Sequence, residues 1–196
     1  TKLSEQMFTG LSPWLNWLPG RLMHVNILGC GIFGSVSGSS AATCATIAKS
    51  ALPELTKRGY DEKITLGSLS CAGTLGILIP PSITMVVYAV AADQSIIRIF
   101  LAGFIPGAIL MGLFSGYIIV WALLNPDKTP PAEKYSLRQR LHSIGQLLPC
   151  TALIVFIAWL MLAGYSTATE AAAYGVVGSL ILAAIGRNLS WTNFWE

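Results

Sequence analysis

The chain has 196 residues, 54% of them hydrophobic and 11% charged, with a mean hydropathy of +0.64. Soluble domains carry about 25% charged residues, and charged groups are what cover a water-facing surface, so the apolar excess must face lipid. The net charge of +3 comes without a basic run interleaved with aromatics, which excludes a nucleic-acid-binding surface.

Both ends, at Thr1 and Glu196, are expected to be truncations of a longer chain. Residues 1–21 mix Lys2, Glu5 and Arg21 with Trp14, Trp17, Pro13 and Pro19. Tryptophans among polar groups suit an amphipathic segment lying at the membrane interface; a plain loop or the end of a preceding span is the alternative. Apolar stretches follow at about 22–52, 64–92, 96–124 and 144–186. Crossing the hydrocarbon takes about 20 apolar residues, so the last stretch divides near Gly164–Thr169 into crossings over 144–163 and 169–186.

The cations order these crossings. Lys49, Lys57, Arg58 and Lys63 lie in the loop 49–63, and Lys128, Lys134, Arg138 and Arg140 lie in the loop 125–143. Connection 93–98 holds only Arg98, connection 164–168 holds no cation, and Arg187 follows the last crossing. Because positive residues collect on the cytoplasmic side, loops 49–63 and 125–143 are placed in the cytoplasm of a multi-pass inner-membrane protein. The expected organisation is 1–21 an interfacial amphipathic segment, 22–92 a transport-domain hairpin and broken helix, 93–143 a transmembrane helix and a cytoplasmic loop, and 144–196 two further transmembrane helices that start a second repeat. The fold class is therefore all-α integral membrane, with a re-entrant hairpin and about four transmembrane helices, one of them discontinuous.

The hairpin is read from stretch 22–52, whose middle holds Gly34, Ser35, Ser37, Gly38, Ser39, Ser40 and Thr43. Irregular backbone at membrane depth is tolerated only where protein or a cavity covers it. The expected arrangement is an arm over 22–36, a tip at 37–40 and an arm over 41–52; a plain span with a small-residue packing face is the alternative. Gly29, Gly31 and Gly34 match a dinucleotide-binding GxGxxG, but no βαβ alternation follows, so that reading is dropped. Gly34/Gly38, Gly103/Gly107 and Gly112/Gly116 have the GxxxG spacing of close helix packing.

The segment Gly73-Thr-Leu-Gly-Ile-Leu-Ile-Pro-Pro-Ser82 interrupts the next stretch. Pro80 and Pro81 remove two amide donors, and Gly73 and Gly76 are expected to loosen the turns before them. Carbonyls freed at mid-membrane need a partner. A sodium ion is one, with hydroxyls of Thr74 and Ser82 completing its shell; a kink healed by neighbouring helices and water is the other reading. Together, the Ser37–Ser40 tip and the Gly73–Ser82 break form the paired interruptions by which transporters hold ions and solutes, helix N-termini attracting anions and C-terminal carbonyls attracting cations.

Thr167-Ala-Thr-Glu170 reads as a capping box opening the last run. Cys30, Cys44, Cys71 and Cys150 lie in apolar runs without metal-ligand spacing, so no zinc site is expected. His24 and His142 have no ligand partners in the sequence pattern, and no nucleophile–base pair is visible, which excludes an enzyme.

Ser37-Gly-Ser-Ser40, Lys57-Arg-Gly-Tyr-Asp61, Gly73–Ser82 and Ala102-Gly-Phe-Ile-Pro-Gly107, in that order, resemble the large membrane subunit, of DctM type, of the tripartite ATP-independent periplasmic (TRAP) transporters. The likeness runs from about Leu3 to Trp191. It implies part of an elevator-type fold of two inverted repeats. It also implies sodium-driven import of organic acids such as C4-dicarboxylates or sialic acid. The implied partners are a periplasmic substrate-binding protein, a small four-helix membrane subunit and the lipid bilayer. No cofactor is implied, sodium being the coupling ion. Carried over, Ser37, Gly38, Ser39, Ser40, Thr74 and Gly76 line an ion or substrate site shaped by Pro80, Pro81 and Ser82, with Ser39 and Thr74 the candidate sodium ligands. Where that family commonly has Thr-Pro-Thr-Glu, this chain has Thr167-Ala-Thr-Glu170. The second hairpin and second Gly/Pro break of the family are not in this sequence. The competing reading is a membrane scaffold subunit whose glycines and serines only pack helices.

Overall fold

The computed structural model describes residues 10–131 and 136–185, and every regular element among them is helical. The chain forms two compact units that divide between Leu147 and Leu148. The first contains α1 (Leu22–Ser37), α2 (Ser40–Lys57), α3 (Glu62–Gly73), the single turn α4 (Leu75–Leu78), α5 (Ile83–Ala91) and α6 (Ile96–Leu124). A long helix, α7 (Leu137–Leu162), leads into the second unit, which ends with α8 (Ala168–Ile185).

Helix α1 is the centre of the first unit. Leu22, Met23, Val25, Ile27 and Cys30 are buried along it, and it touches α2, α3, α4 and α6. One of its polar residues is bonded across helices: Asn26 Nδ2 donates to Ser68 Oγ at 3.0 Å, and Ser68 Oγ in turn donates to Thr65 O within α3 at 2.8 Å. Helix α2 buries Thr43, Ile47, Ala51 and Leu55, a four-residue stripe that fixes the face it turns to α1 and α3.

That stripe also corrects the loop expected at 49–63. Helix α2 runs through Pro53 to Lys57, so only 58–61 is non-helical. Pro53 sits on the exposed side, where one lost backbone bond is outweighed by the burial of Ala51 and Leu55. The chain turns away from the helix at Gly59, whose φ of +77° favours a residue without a side chain. Likewise, α7 begins at Leu137, inside the expected loop 125–143.

Asp61 caps α3, its Oδ1 accepting from the Ile64 N–H at 3.2 Å, while its Oδ2 lies 3.8 Å from Lys128 Nζ. The two cation-rich connections therefore meet at one end of the unit. In detergent, Asp61→Ala is expected to lower stability by about 1–2 kcal/mol through the lost cap. Lys128→Ala is expected to cost well under 1 kcal/mol, the lysine being exposed and the pair long at 3.8 Å. Equal losses in thermal unfolding would show that the ion pair, not the cap, matters.

Helix α6 has 29 residues, about 43 Å at 1.5 Å per residue, and a hydropathy of 2.1. Leu101, Ile105, Ile109, Leu113 and Leu124 are exposed along it, an apolar surface that water would not tolerate. Among the described residues α6 alone is long and apolar enough to cross a membrane, by length and composition; α3–α5 adds a second if the bent pair counts as one span. At the crossings expected over 144–163 and 169–186 the structure has α7 and α8, the apolar part of α7 being Thr151–Met161.

In the second unit, α7 turns into α8 at Gly164, with φ +76°. Gly175 and Gly178 of α8 face Ile157 and Leu153, a Cβ at Gly178 standing 2.5 Å from Leu153 Cδ1. The capping box is present: the Thr167 N–H donates to Glu170 Oε2 at 2.8 Å, and the Glu170 N–H donates to Thr167 Oγ1 at 3.3 Å. Of the interfacial segment, 1–9 lie outside the described residues; 10–15 are helical, with Trp14 and Trp17 exposed and Leu11 and Asn16 buried.

Candidate functional site

The hairpin turns on two residues rather than four. Ser37 still belongs to α1, and Ser40 already opens α2. Gly38 adopts the left-handed conformation, φ +61°, and its N–H donates to Gly34 O at 2.8 Å, closing α1. Ser39 is extended and caps α2, its Oγ accepting from the Ala42 N–H at 3.5 Å. Ser37 Oγ donates to Ser39 O at 3.2 Å and pairs with the hydroxyl of Thr43, which is fully buried. The tip is thus held by hydroxyls that fold its own backbone.

The break is shorter than the motif. Gly73 ends α3, Thr74 makes one turn residue, α4 follows, and only 79–82 leave the helix, across a cis Pro80–Pro81 peptide. The helices on either side are bent by 42°. In a continuous helix the amides of residues 80 and 81 would serve the carbonyls of Gly76 and Ile77. Prolines have no such amide. Ser82, extended and nearly fully buried, supplies the replacement: its Oγ donates to Ile77 O at 2.9 Å. The carbonyl of Gly76 has no donor from residue 80.

Glycines press the two interruptions together. A Cβ at Gly34 would stand 2.7 Å from Gly76 Cα, so α1 and α4 cross backbone on backbone. A Cβ at Gly76 would stand 2.7 Å from Thr43 Oγ1 and 3.0 Å from Ser39 O, and one at Gly73 2.8 Å from Cys44 Cβ. Gly38 lies against Pro81 O and Ile83, and from the other side Gly103 lies against Met85 and Leu78 O, with Gly107 against Ile79. Gly73 and Gly76 therefore do not loosen the helix, as their residue type suggested; they remain helical and admit the hairpin. Gly112 and Gly116 have nothing within 4 Å of a Cβ, so their GxxxG spacing packs no helix among the described residues.

The structure brings Ser37, Gly38, Ser39, Ser40, Gly76 and Pro81 together at the hairpin–break contact. Pro80 is buried within the break, and the Ser82 hydroxyl is committed to Ile77 O. Thr74 is exposed, and its Oγ1 donates to Cys71 O at 2.6 Å rather than reaching the serines. Sequence reasoning missed Thr43, the buried hydroxyl between Ser37 and Gly76. Its signal was the position one turn into α2 after a serine cap. Chemically, the contact offers hydroxyl and carbonyl oxygens with first-turn amides of α2 beside them. Among the described residues no group of three or more His, Cys, Asp or Glu could hold a metal; the hydroxyl and carbonyl oxygens at this contact are ligands of the kind a hard cation takes.

The chain matches the family described as "Tripartite ATP-independent periplasmic transporter, DctM component" over residues 1–195. It is 39% identical over 164 residues to the C4-dicarboxylate TRAP transporter large permease protein DctM of Pseudomonas aeruginosa, covering 84% of this chain and 38% of that protein. It is 33% identical over 184 residues to the ectoine/5-hydroxyectoine TRAP transporter large permease protein UehC of Ruegeria pomeroyi (93% and 42%). It is 30% identical over 195 residues to the isethionate TRAP transporter permease protein DctMQ of Oleidesulfovibrio alaskensis (99% and 31%). The chain spans about two fifths or less of the length of these curated relatives. These relatives are named as transporter permease components, not enzymes, and the chain belongs to the DctM component family of the tripartite ATP-independent periplasmic transporters.

Proposed function

We propose that this chain is one repeat's share of a sodium-coupled secondary transporter in the bacterial inner membrane, importing a small organic acid delivered by a periplasmic binding protein. The observation that carries it is the Gly34–Gly76 crossing, which sets the two-residue hairpin tip against the Pro80–Pro81 break. Paired interruptions of this kind are how secondary transporters place amides and carbonyls around a solute and its ion. The solutes named for the three relatives differ, yet each carries a carboxylate or sulfonate, which suits the amide-rich start of α2.

Sodium is assigned to the oxygen side of the contact. The exposed Thr74 hydroxyl points its hydrogen at Cys71 O and keeps its oxygen lone pairs free, while Ser37 Oγ is taken up by the Ser39 N–H and by Thr43. On this assignment Ser39 and Ser40 line the accessible rim, with Thr74 on the exposed surface beyond Gly73, Ser37, Gly38 and Gly76 form its floor, and Pro80, Pro81 and Ser82 hold the break open. In this reading the chain contributes about four transmembrane helices of an elevator-type, inverted-repeat protein, beside a small four-helix membrane subunit. The Asp61–Lys128 contact supports a shared cytoplasmic side for 49–63 and 125–143. Each sodium moving inward contributes about 2.3 kcal/mol per 100 mV.

The test is uptake by the full-length protein with its partners in liposomes. An imposed inward sodium gradient is expected to drive accumulation of a carboxylate or sulfonate solute; uptake indifferent to sodium would remove the coupling. Thr74→Val and Ser39→Ala are each expected to raise the half-saturating sodium concentration about tenfold, since a bond to a charged group contributes about 1.5–3 kcal/mol. Failure of the variants to assemble, with coupling intact in whatever protein assembles, would favour the scaffold reading.

A further inference from the structure

Away from the hairpin tip, an open cavity of about 450 Å³ lies between α1, α3 and α6, within the roughly 300–1,000 Å³ typical of small-molecule sites. Lys63, Lys128 and Asp61 stand among its lining residues at the end where the two cation-rich connections meet. Asp61 is already committed, one carboxylate oxygen capping α3 and the other facing Lys128. Among the described residues Lys63 has no ion-pair partner. The three charges therefore leave a net positive mouth.

The remainder is apolar and aromatic. Phe114, Tyr117 and Trp121 form one wall at successive turns of α6. Ile64, Gly67 and Cys71 form the opposite wall on α3. Gly67 has nothing within 4 Å of a Cβ, so the groove is open at this point midway along α3. Ser68, a polar group in the lining, is taken up by Asn26 and by Thr65 O. Tyr and Trp beside lysines at the end of an apolar groove is the pattern of the headgroup level of a bilayer. Basic pockets between transmembrane helices on the cytoplasmic side are where anionic headgroups bind.

We propose that this cavity is a binding site for one anionic phospholipid of the cytoplasmic leaflet. Its phosphate sits between Lys63 and Lys128, and an acyl chain lies between α3 and α6 across Gly67. The net positive mouth selects an anionic over a zwitterionic headgroup. The apolar and aromatic walls select a lipid over a soluble organic acid, because the lining beyond the mouth is mostly hydrocarbon and ring.

The full-length protein, delipidated in detergent, tests this. Added dioleoylphosphatidylglycerol is expected to raise its thermal midpoint by several degrees, dioleoylphosphatidylcholine much less, and succinate not at all. Native mass spectrometry is expected to show one retained phosphatidylglycerol per chain. Lys63→Gln/Lys128→Gln should abolish the preference for phosphatidylglycerol. Gly67→Leu should abolish the retained lipid while leaving the lipid-free midpoint unchanged or slightly raised, because its side chain enters open space. Equal shifts with both lipids, or a phosphatidylglycerol shift that survives both variants, would overturn the proposal. So would a fall of the lipid-free midpoint in Gly67→Leu, since the groove would then be filled by protein.

Discussion

Gly34→Leu is expected to destabilise the protein by about 3 kcal/mol or more, and Gly76→Ala by about 1–3 kcal/mol. The cause is the α1–α4 crossing, where a Cβ at Gly34 would stand 2.7 Å from Gly76 Cα. Overpacked side chains can usually rotate away; here the obstacle is backbone. Relief requires the two helices to separate, which opens the packing that buries Leu75 and Cys30. At Gly76 the added atom meets Ser39 O at 3.0 Å, so even one methyl group displaces the hairpin tip. Equilibrium unfolding of the full-length protein in detergent measures the loss. Gly112→Ala and Gly116→Ala are the controls: both positions are helical and open, so each is expected to gain up to about 1 kcal/mol. Losses at Gly112 as large as at Gly76 would mean that backbone freedom, not close approach, is what these glycines supply.

The glycines also show how far the sequence could be read. Spacing alone put Gly112/Gly116 and Gly103/Gly107 in one class, but the structure separates them: Gly103 and Gly107 face the break, and a Cβ at Gly112 or Gly116 meets nothing within 4 Å. A GxxxG string reports that a close approach is possible; which face of a helix meets a neighbour depends on residues far away in the chain. Gly73 and Gly76 were legible as unusual and misread in role, because their partners, Cys44 and Thr43, lie some thirty residues earlier. The hairpin itself was legible, since a left-handed glycine followed by a serine cap is a local device, and so was the Thr167–Glu170 box. Local patterns also placed the proline break to within a turn. The extension of α2 past Pro53 was not legible, because the decisive term is burial of Ala51 and Leu55 against other helices. The family could be read from the ordered set of motifs, and the match over residues 1–195 bears it out.

At the hairpin and break, glycine provides proximity and hydroxyls provide hydrogen bonds the backbone lacks. Ser37, Thr43, Thr74 and Ser82 each have a hydroxyl bonded to a backbone carbonyl or to one another within the interrupted elements. In water such bonds would be dispensable, because solvent would take the carbonyl. At membrane depth the alternative is an empty acceptor. Ser82 is the clearest case.

Ser82→Ala is accordingly expected to cost about 1–3 kcal/mol, the penalty of leaving a buried carbonyl without a donor. Ile77 O cannot recover an amide, because the residue four positions on is Pro81. Ser82→Cys, a weaker donor of similar shape, should fall between serine and alanine. Ser179 provides the internal comparison. Its Oγ donates to Val176 O at 2.8 Å in α8, the same kind of bond at nearly the same length, but residue 180 there is not proline and can also serve that carbonyl. Ser179→Ala should therefore change stability by less than about 0.5 kcal/mol, as exposed positions do. Measured side by side in unfolding experiments, the difference between the two alanine variants isolates the missing proline amide. If Ser82→Ala were as neutral as Ser179→Ala, the Ile77 carbonyl would have another partner, and the break would not depend on the serine that follows its prolines.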